Sequence, residues 1–365
     1  MKFVTFTTRL LNAALLSVLT IPLSALAQAP ARELVMETTG LVVFDHSKTF
    51  VPPEQLPLVE STANERADAQ QDKLTAEGVT RNGRSFTYKE ASKEERAILL
   101  KGIEQWEGAF VGVQSGSASA SLSNTSVEDS ATSARNAGGP GAHTESVIGT
   151  DTRVRINPTT GYPFRTIGQI DLGCTGTLIG PRHVLTAGHC VYNTVNDQWY
   201  SALRFTPALN GSVKPYGGPI NWSRAISVRG WTRDHDRNYD YAMIILTQPI
   251  GNTVGWMGYG WKNPMPLYNV NINGYPGDKP AGTMWHSFCG LDAVQASYPR
   301  RLFYDCDTYP GNSGSAIYVY FSSTTQRIIY GIHTNGNDVF SSLNSGTRIN
   351  EEVFNKLKGW KVANP

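Results

Sequence analysis

From Val147 to the C-terminus the chain is a succession of short apolar or alternating runs, each stopped by Gly, Pro, Asn or Asp. Thr175–Ile179, Val184–Thr186, Tyr241–Leu246, Val270–Ile272, Ser315–Tyr320 and Arg327–Ile332 are examples, and Tyr, Val, Ile and Thr are abundant in them. Runs this short do not offer a helix enough turns to bury a face, whereas they suit strands joined by tight connections. The spacing therefore predicts an all-β sandwich or barrel, and residues 146–365 are long enough for two small barrels. Only Asn350–Trp360 breaks the pattern: Val353, Leu357 and Trp360 recur at helical spacing and predict a C-terminal helix that docks one face.

The residues before this region read differently. Lys2 and Arg9 precede an apolar run from Leu10 to Ile21, then Pro22 and Ala25-Leu26-Ala27, which predicts a secretory signal peptide over 1–27. The run is shorter than the roughly 20 residues needed to cross a bilayer, so a membrane anchor is not expected. Residues 28–145 read as a propeptide: polar and charged at first, with a helix predicted around Ser92–Gly108 from Leu99, Leu100, Ile103 and Trp106. It ends in a Ser/Ala/Gly-rich linker over about 115–142, an accessible substrate for proteolysis. Residues 28–145 carry 11 Lys+Arg against 17 Asp+Glu, and 146–365 carry 19 against 13. Segments of opposite charge attract, as a cover and the domain beneath it would, although two independently solvated surfaces would give the same counts.

Four cysteines, Cys174, Cys190, Cys289 and Cys306, all lie in the C-terminal region. In an exported chain they predict two disulfides, and of the three possible pairings Cys174–Cys190 with Cys289–Cys306 closes two short loops. No C-x-x-C or paired Cys/His spacing supports zinc, and neither a metal nor a cofactor is expected.

The chemistry centres on "YPGNSGSAIY", residues 309–318, where Ser313 stands among residues with little side chain. Such a cluster is either an ordinary turn or a cleared approach to a nucleophile. A serine hydroxyl needs a base, and the base needs an acid to hold its tautomer. His189 in "VLTAGHC" is the histidine with a distinctive frame, at the end of an apolar run and next to Cys190. Asp240 in "NYDYAMIIL" stands at the entrance of a buried strand, whereas Asp234 and Asp236 in "RDHDR" read as solvated.

"CTGTLIGPRHVLTAGHC", "DYAMIIL" and "GNSGSAIY", in that order, resemble the chymotrypsin-fold serine endopeptidases, whose catalytic residues run His, Asp, Ser along the chain. Within that fold the chain is most similar to bacterial glutamyl endopeptidases over essentially all of 146–365, through "VIGTDTRVRI", "NGYPGDKPAGTMW", "DTYPGNSGS", "IHTNG" and "GTRINEEVFNKLKGW". The resemblance implies a double six-stranded β-barrel with a C-terminal helix. It implies His189 as general base, Asp240 as its orienting acid, Ser313 as nucleophile, and the amides of Gly311 and Ser313 as oxyanion hole. It also implies a secreted proenzyme, extracellular or periplasmic, that acts as a monomer on proteins and peptides and is held by its own propeptide.

Specificity is left with two readings. Asp307, six residues before Ser313, matches the acid that trypsin-like enzymes use to bind Arg or Lys. Thr308 and His333 match the positions with which glutamyl endopeptidases bind an acidic side chain, for which a hydroxyl and an imidazole are suitable donors. Glu145 directly before Ser146 favours the second reading, since the precursor would then be cut by its own kind, with the new amine of Ser146 adding to the substrate site. Asn312 stands where a trypsin-like activation switch needs an Asp. A catalytically dead binding protein on the same scaffold is disfavoured by His189, Asp240 and Ser313 all being present. Nucleic acid is not an expected partner, because the excess positive charge is mild and no basic helix or stacking motif accompanies it.

Overall fold

The computed structural model describes residues 69–88, 106–112, 147–292, 298–336 and 342–365. The signal peptide, the linker, Glu145 and Ser146 lie outside these residues, as do 92–105 of the expected upstream helix.

In chain order the strands are β1 (Ala76–Thr80), β2 (Ser85–Thr87), β3 (Trp106–Glu107), β4 (Val154–Arg155), β5 (Ile167–Ile170), β6 (Thr175–Leu178), β7 (His183–Thr186), β8 (Tyr192–Asn193), β9 (Gln198–Trp199) and β10 (Phe205–Pro207). They continue with β11 (Trp222–Val228), β12 (Ala242–Leu246), β13 (Gly258–Gly260), β14 (Asn269–Gly274), β15 (Trp285–Gly290), β16 (Arg301–Tyr304), β17 (Ala316–Phe321), β18 (Gln326–Asn335) and β19 (Asn344–Arg348). Every apolar run named from the sequence lies on one of them. Two large sheets result, one in the order β10-β5-β6-β7-β12-β11-β1-β2 and one built on β16-β19-β18-β17-β14-β15-β4.

Each sheet curls on itself. Phe205 in β10 pairs with Ile170 of β5 on one side and bridges Ile220, just before β11, on the other. Leu291, directly after β15, bridges Tyr304 of β16 and closes the second barrel in the same way. Six strands from the region after residue 146 close each barrel, as expected, and β4 and β13 are attached to the second. Inward residues such as Ile167, Leu178, Val184, Ile226 and Ile244 fill the first core, and Val270, Leu302, Ile317 and Ile328 fill the second.

The upstream segment is built into this architecture. β1 pairs antiparallel with β11, from Ala76 opposite Val228 to Thr80 opposite Arg224, and Leu74, Ala76 and Val79 are buried in the first core. Asp72 forms an ion pair with Arg229 at 2.7 Å and another with Arg233, and Glu77 accepts a hydrogen bond from Thr232. The acidic upstream segment thus meets basic residues of the main domain, although Lys73 with Asp236 is a pair of the opposite polarity. β3 pairs with β13, so Trp106 and Glu107, at the end of the helix expected from the sequence, are extended instead. Ladder bonds to an existing strand satisfy more backbone groups than the last turn of an isolated helix would.

Both expected disulfides are present, Cys174–Cys190 and Cys289–Cys306, closing loops of 16 and 17 residues. Loop closures of this size contribute about 3 kcal/mol each. The C-terminal helix spans Glu351–Ala363, slightly longer than expected, and Asn350 caps it by accepting from the amide of Val353 at 3.0 Å. Its face of Val353, Phe354, Leu357 and Trp360 is buried, and Trp360 stacks on Tyr241 with ring centroids 5.7 Å apart. That contact braces the residue next to Asp240.

Candidate active site

His189 lies in a single 3₁₀ turn, Gly188–Cys190, that directly follows β7 and Ala187. The turn is tied on one side by the disulfide at Cys190 and on the other by Asp240, whose Oδ1 accepts from the His189 amide at 2.9 Å. The other carboxylate oxygen, Oδ2, lies 2.7 Å from His189 Nδ1. Because Asp240 is 1% exposed, its charge is held by these bonds and little by water. Gly188 makes the approach possible, since a Cβ there would stand 2.7 Å from Trp231 and 3.0 Å from Asp240 Oδ1.

Asp240 is presented by the 3₁₀ turn Arg237–Tyr239, capped by Asp236, which accepts from the Asn238 amide at 3.0 Å. Asp236 read as solvated in the sequence, but it is committed to this turn and to Lys73. The Asp240 carbonyl accepts from Thr347 Oγ1 of β19 at 2.8 Å, so the first barrel's acid is held from the second barrel as well.

Ser313 lies between β16 and β17 of the second barrel. Its carbonyl accepts from the Thr175 amide at 2.8 Å, and Thr175 Oγ1 donates to the Gly311 carbonyl at 2.8 Å, which docks the serine turn onto β6 of the first barrel. Gly311 and Gly314 have φ of +107° and +85°, a region open to glycine. A Cβ at Gly314 would collide with Thr186 and the Thr175 carbonyl and stand 3.2 Å from the Ala187 amide. The serine turn therefore lies directly against the segment leading into His189. Among the described residues, the Gly311 and Ser313 amides donate no hydrogen bond, whereas the Asn312 amide between them is spent on Tyr309.

Cys174, Cys190 and His189 stand close enough to suggest a metal, but the two sulfurs are bonded to each other and His189 Nδ1 faces Asp240. That set offers no thiolate.

The specificity candidates separate clearly. Asp307 is 3% exposed and both its oxygens are taken: Oδ1 accepts from the Ile148 amide at 2.9 Å, and Oδ2 from the Thr152 amide at 2.8 Å and its hydroxyl at 2.7 Å. The reading of Asp307 as a receptor for Arg or Lys is therefore not supported, because the acid anchors the irregular segment 148–152 instead. His333, in β18, is held beside the serine turn by two backbone bonds of 2.8 Å, from the Gly314 amide to its carbonyl and from its amide to the Ser315 carbonyl. Burial pushes its pKa down to about 3, and the positive charges of His189 and Arg301 act in the same direction. Thr308 is fully buried, and its hydroxyl has no hydrogen-bond partner among the described residues. Sequence reasoning did not find Tyr304, whose hydroxyl lies 2.6 Å from His333 Nδ1, or Trp231, beside the His189 ring at 6.2 Å. A Tyr in a buried strand and a Trp in the short helical turn Arg229–Thr232 carry no local sign of their neighbours.

Two six-stranded barrels, one carrying a paired imidazole and carboxylate and the other a glycine-flanked serine in a turn docked against the first, define the trypsin-like serine peptidase class. The trypsin family's sequence profile matches residues 153–351, and the chain belongs to that family and is a serine endopeptidase. It is 44% identical over 225 residues to a glutamyl endopeptidase of Bacillus licheniformis, covering 60% of this chain and 69% of that protein. It is 42% identical over 227 residues to a Bacillus subtilis protein named extracellular metalloprotease, covering 59% and 69%. Among solved structures, a Glu endopeptidase in complex with MPD matches with a TM-score of 0.51 and 29% identity, over 59% of this chain and 99% of that one.

Proposed function

We propose that this endopeptidase is exported, made as a precursor, and cuts peptide bonds after Glu and more weakly after Asp. The supporting observation is His333, a buried imidazole fastened to the serine turn, while the competing acid Asp307 is spent elsewhere. In this reading Ser313 Oγ attacks the scissile carbonyl as His189 Nε2 takes its proton and later returns it to the leaving amine. Asp240 holds the Nδ1–H and stabilises the imidazolium. The Gly311 and Ser313 amides receive the oxyanion, where losing one such donor raises the barrier by about 3 to 4 kcal/mol. Thr308 and His333 face the substrate acid, and the amine of Ser146 joins them after cleavage behind Glu145.

Residues 28–145 serve as the covering propeptide in this reading, with β1 and its ion pairs as the docked element, and 1–27 direct export. Among the described residues no helix is long and apolar enough to cross a membrane. The test is a panel of peptides identical except for the residue before the cut, offered to the processed protein. Glu should be cleaved best and Asp more slowly; a preference for Lys or Arg would overturn the reading.

A further inference from the structure

We propose that Tyr304 is a specificity-positioning residue that holds His333 in the tautomer able to donate a hydrogen bond to an acidic substrate side chain. The inference rests on the reading of His333 as part of the substrate-acid site and names what sets its chemistry.

Tyr304 in β16 and His333 in β18 flank β19, where the residue opposite His333 is Gly346. Across that strand the Tyr304 hydroxyl lies 2.6 Å from His333 Nδ1, with both side chains buried. Burial raises the Tyr304 pKa well above its ordinary value of 10.0, so the hydroxyl keeps its proton. That proton has no other acceptor among the described residues. If Nδ1 carried a hydrogen, it would donate to the Tyr304 oxygen and the buried tyrosine proton would have to turn away and go unpaired, at a cost that a tautomer exchange removes. Tyr304 therefore donates to Nδ1, and a neutral His333 carries its hydrogen on Nε2.

The consequence is discrimination between Glu and its amide. Thr308 and His333 then present two donors, one for each oxygen of a carboxylate. A Gln side chain has one acceptor oxygen for the His333 Nε2–H, and its NH₂ pairs with Thr308 only if that hydroxyl turns to accept, so the two charge-assisted bonds of a carboxylate become two weaker neutral ones. Without Tyr304, His333 is free to move its hydrogen to Nδ1 and turn Nε2 into an acceptor, which accommodates the amide.

The experiment compares the processed protein with Tyr304→Phe on two peptides that differ only in Glu or Gln before the cut. The wild type should prefer Glu, and the variant should lose roughly 10- to 100-fold of that ratio, mainly through KM for the Glu peptide, with kcat little changed. A variant that keeps the ratio overturns the inference. A wild type with no Glu preference overturns the underlying reading of the site instead. Imidazole ¹⁵N shifts of the wild type give an independent readout that does not depend on the variant folding: an Nε2–H tautomer at His333 supports the positioning role, and an Nδ1–H tautomer refutes it.

Discussion

Asp240 and Asp307 are both nearly inaccessible to water, and their partners give them opposite uses. Asp240 faces an imidazole that can cycle between neutral and charged, so its carboxylate is suited to stabilising a charge that comes and goes. Asp307 faces amides and a hydroxyl whose protons never leave, so its charge serves as an anchor for the entry of the main domain. Asp307→Asn should therefore leave the Thr152 or Ile148 amide facing an NH₂ at a buried side chain and destabilise the fold by about 1 to 3 kcal/mol. Thermal unfolding measures this, and the peptide panel should show no change in relative cleavage after Lys and Arg. A selective loss of cleavage after basic residues, with stability unchanged, would return Asp307 to the role of cation receptor.

At the scale of elements, β1 shows how a weak local signal becomes a strand. "AEGVT" has a glycine at its centre and too few apolar residues to be recognised alone, yet the open edge of β11 supplies a ladder for it. Gly78 is what allows the fit: a Cβ there would collide with the Ala225 carbonyl and the Phe86 ring. Gly78→Val should lift β1 from β11 in the unprocessed chain, and hydrogen exchange should then reach amides of Trp222–Val228 that are protected in the parent. Unchanged protection would mean that the ladder does not depend on this close approach. The C-terminal helix is the opposite case, since its apolar spacing and the Asn350 cap are both local and both legible.

For the molecule as a whole, the buried imidazole of His333 contributes to how stability depends on pH. His333 keeps a pKa of about 3 when folded, whereas the unfolded chain binds its proton near 6.5. Between those values the unfolded state holds more protons, so stability is fully present above pH 6.5 and falls as pH drops through that window. Burial lowers the pKa of His286 as well, which adds to the loss with the same sign. The melting temperature should decline between pH 7 and pH 5, above the range where ordinary carboxylates titrate, and His333→Gln should flatten that decline. A parent melting curve insensitive to pH in this window would contradict the buried, neutral state of His333.

The short strand runs, the glycines around the serine and the final helix are local patterns, and they are legible along the chain together with the order of His189, Asp240 and Ser313. Periodicity and turn chemistry act over a few residues, so they can be read without knowing what lies opposite. Which acid is spent on backbone amides and which faces an imidazole, which tyrosine lies against His333, and where the upstream strand docks depend on tertiary contacts. A buried polar group takes its role from the donors and acceptors that surround it, and these arrive from strands far apart along the chain.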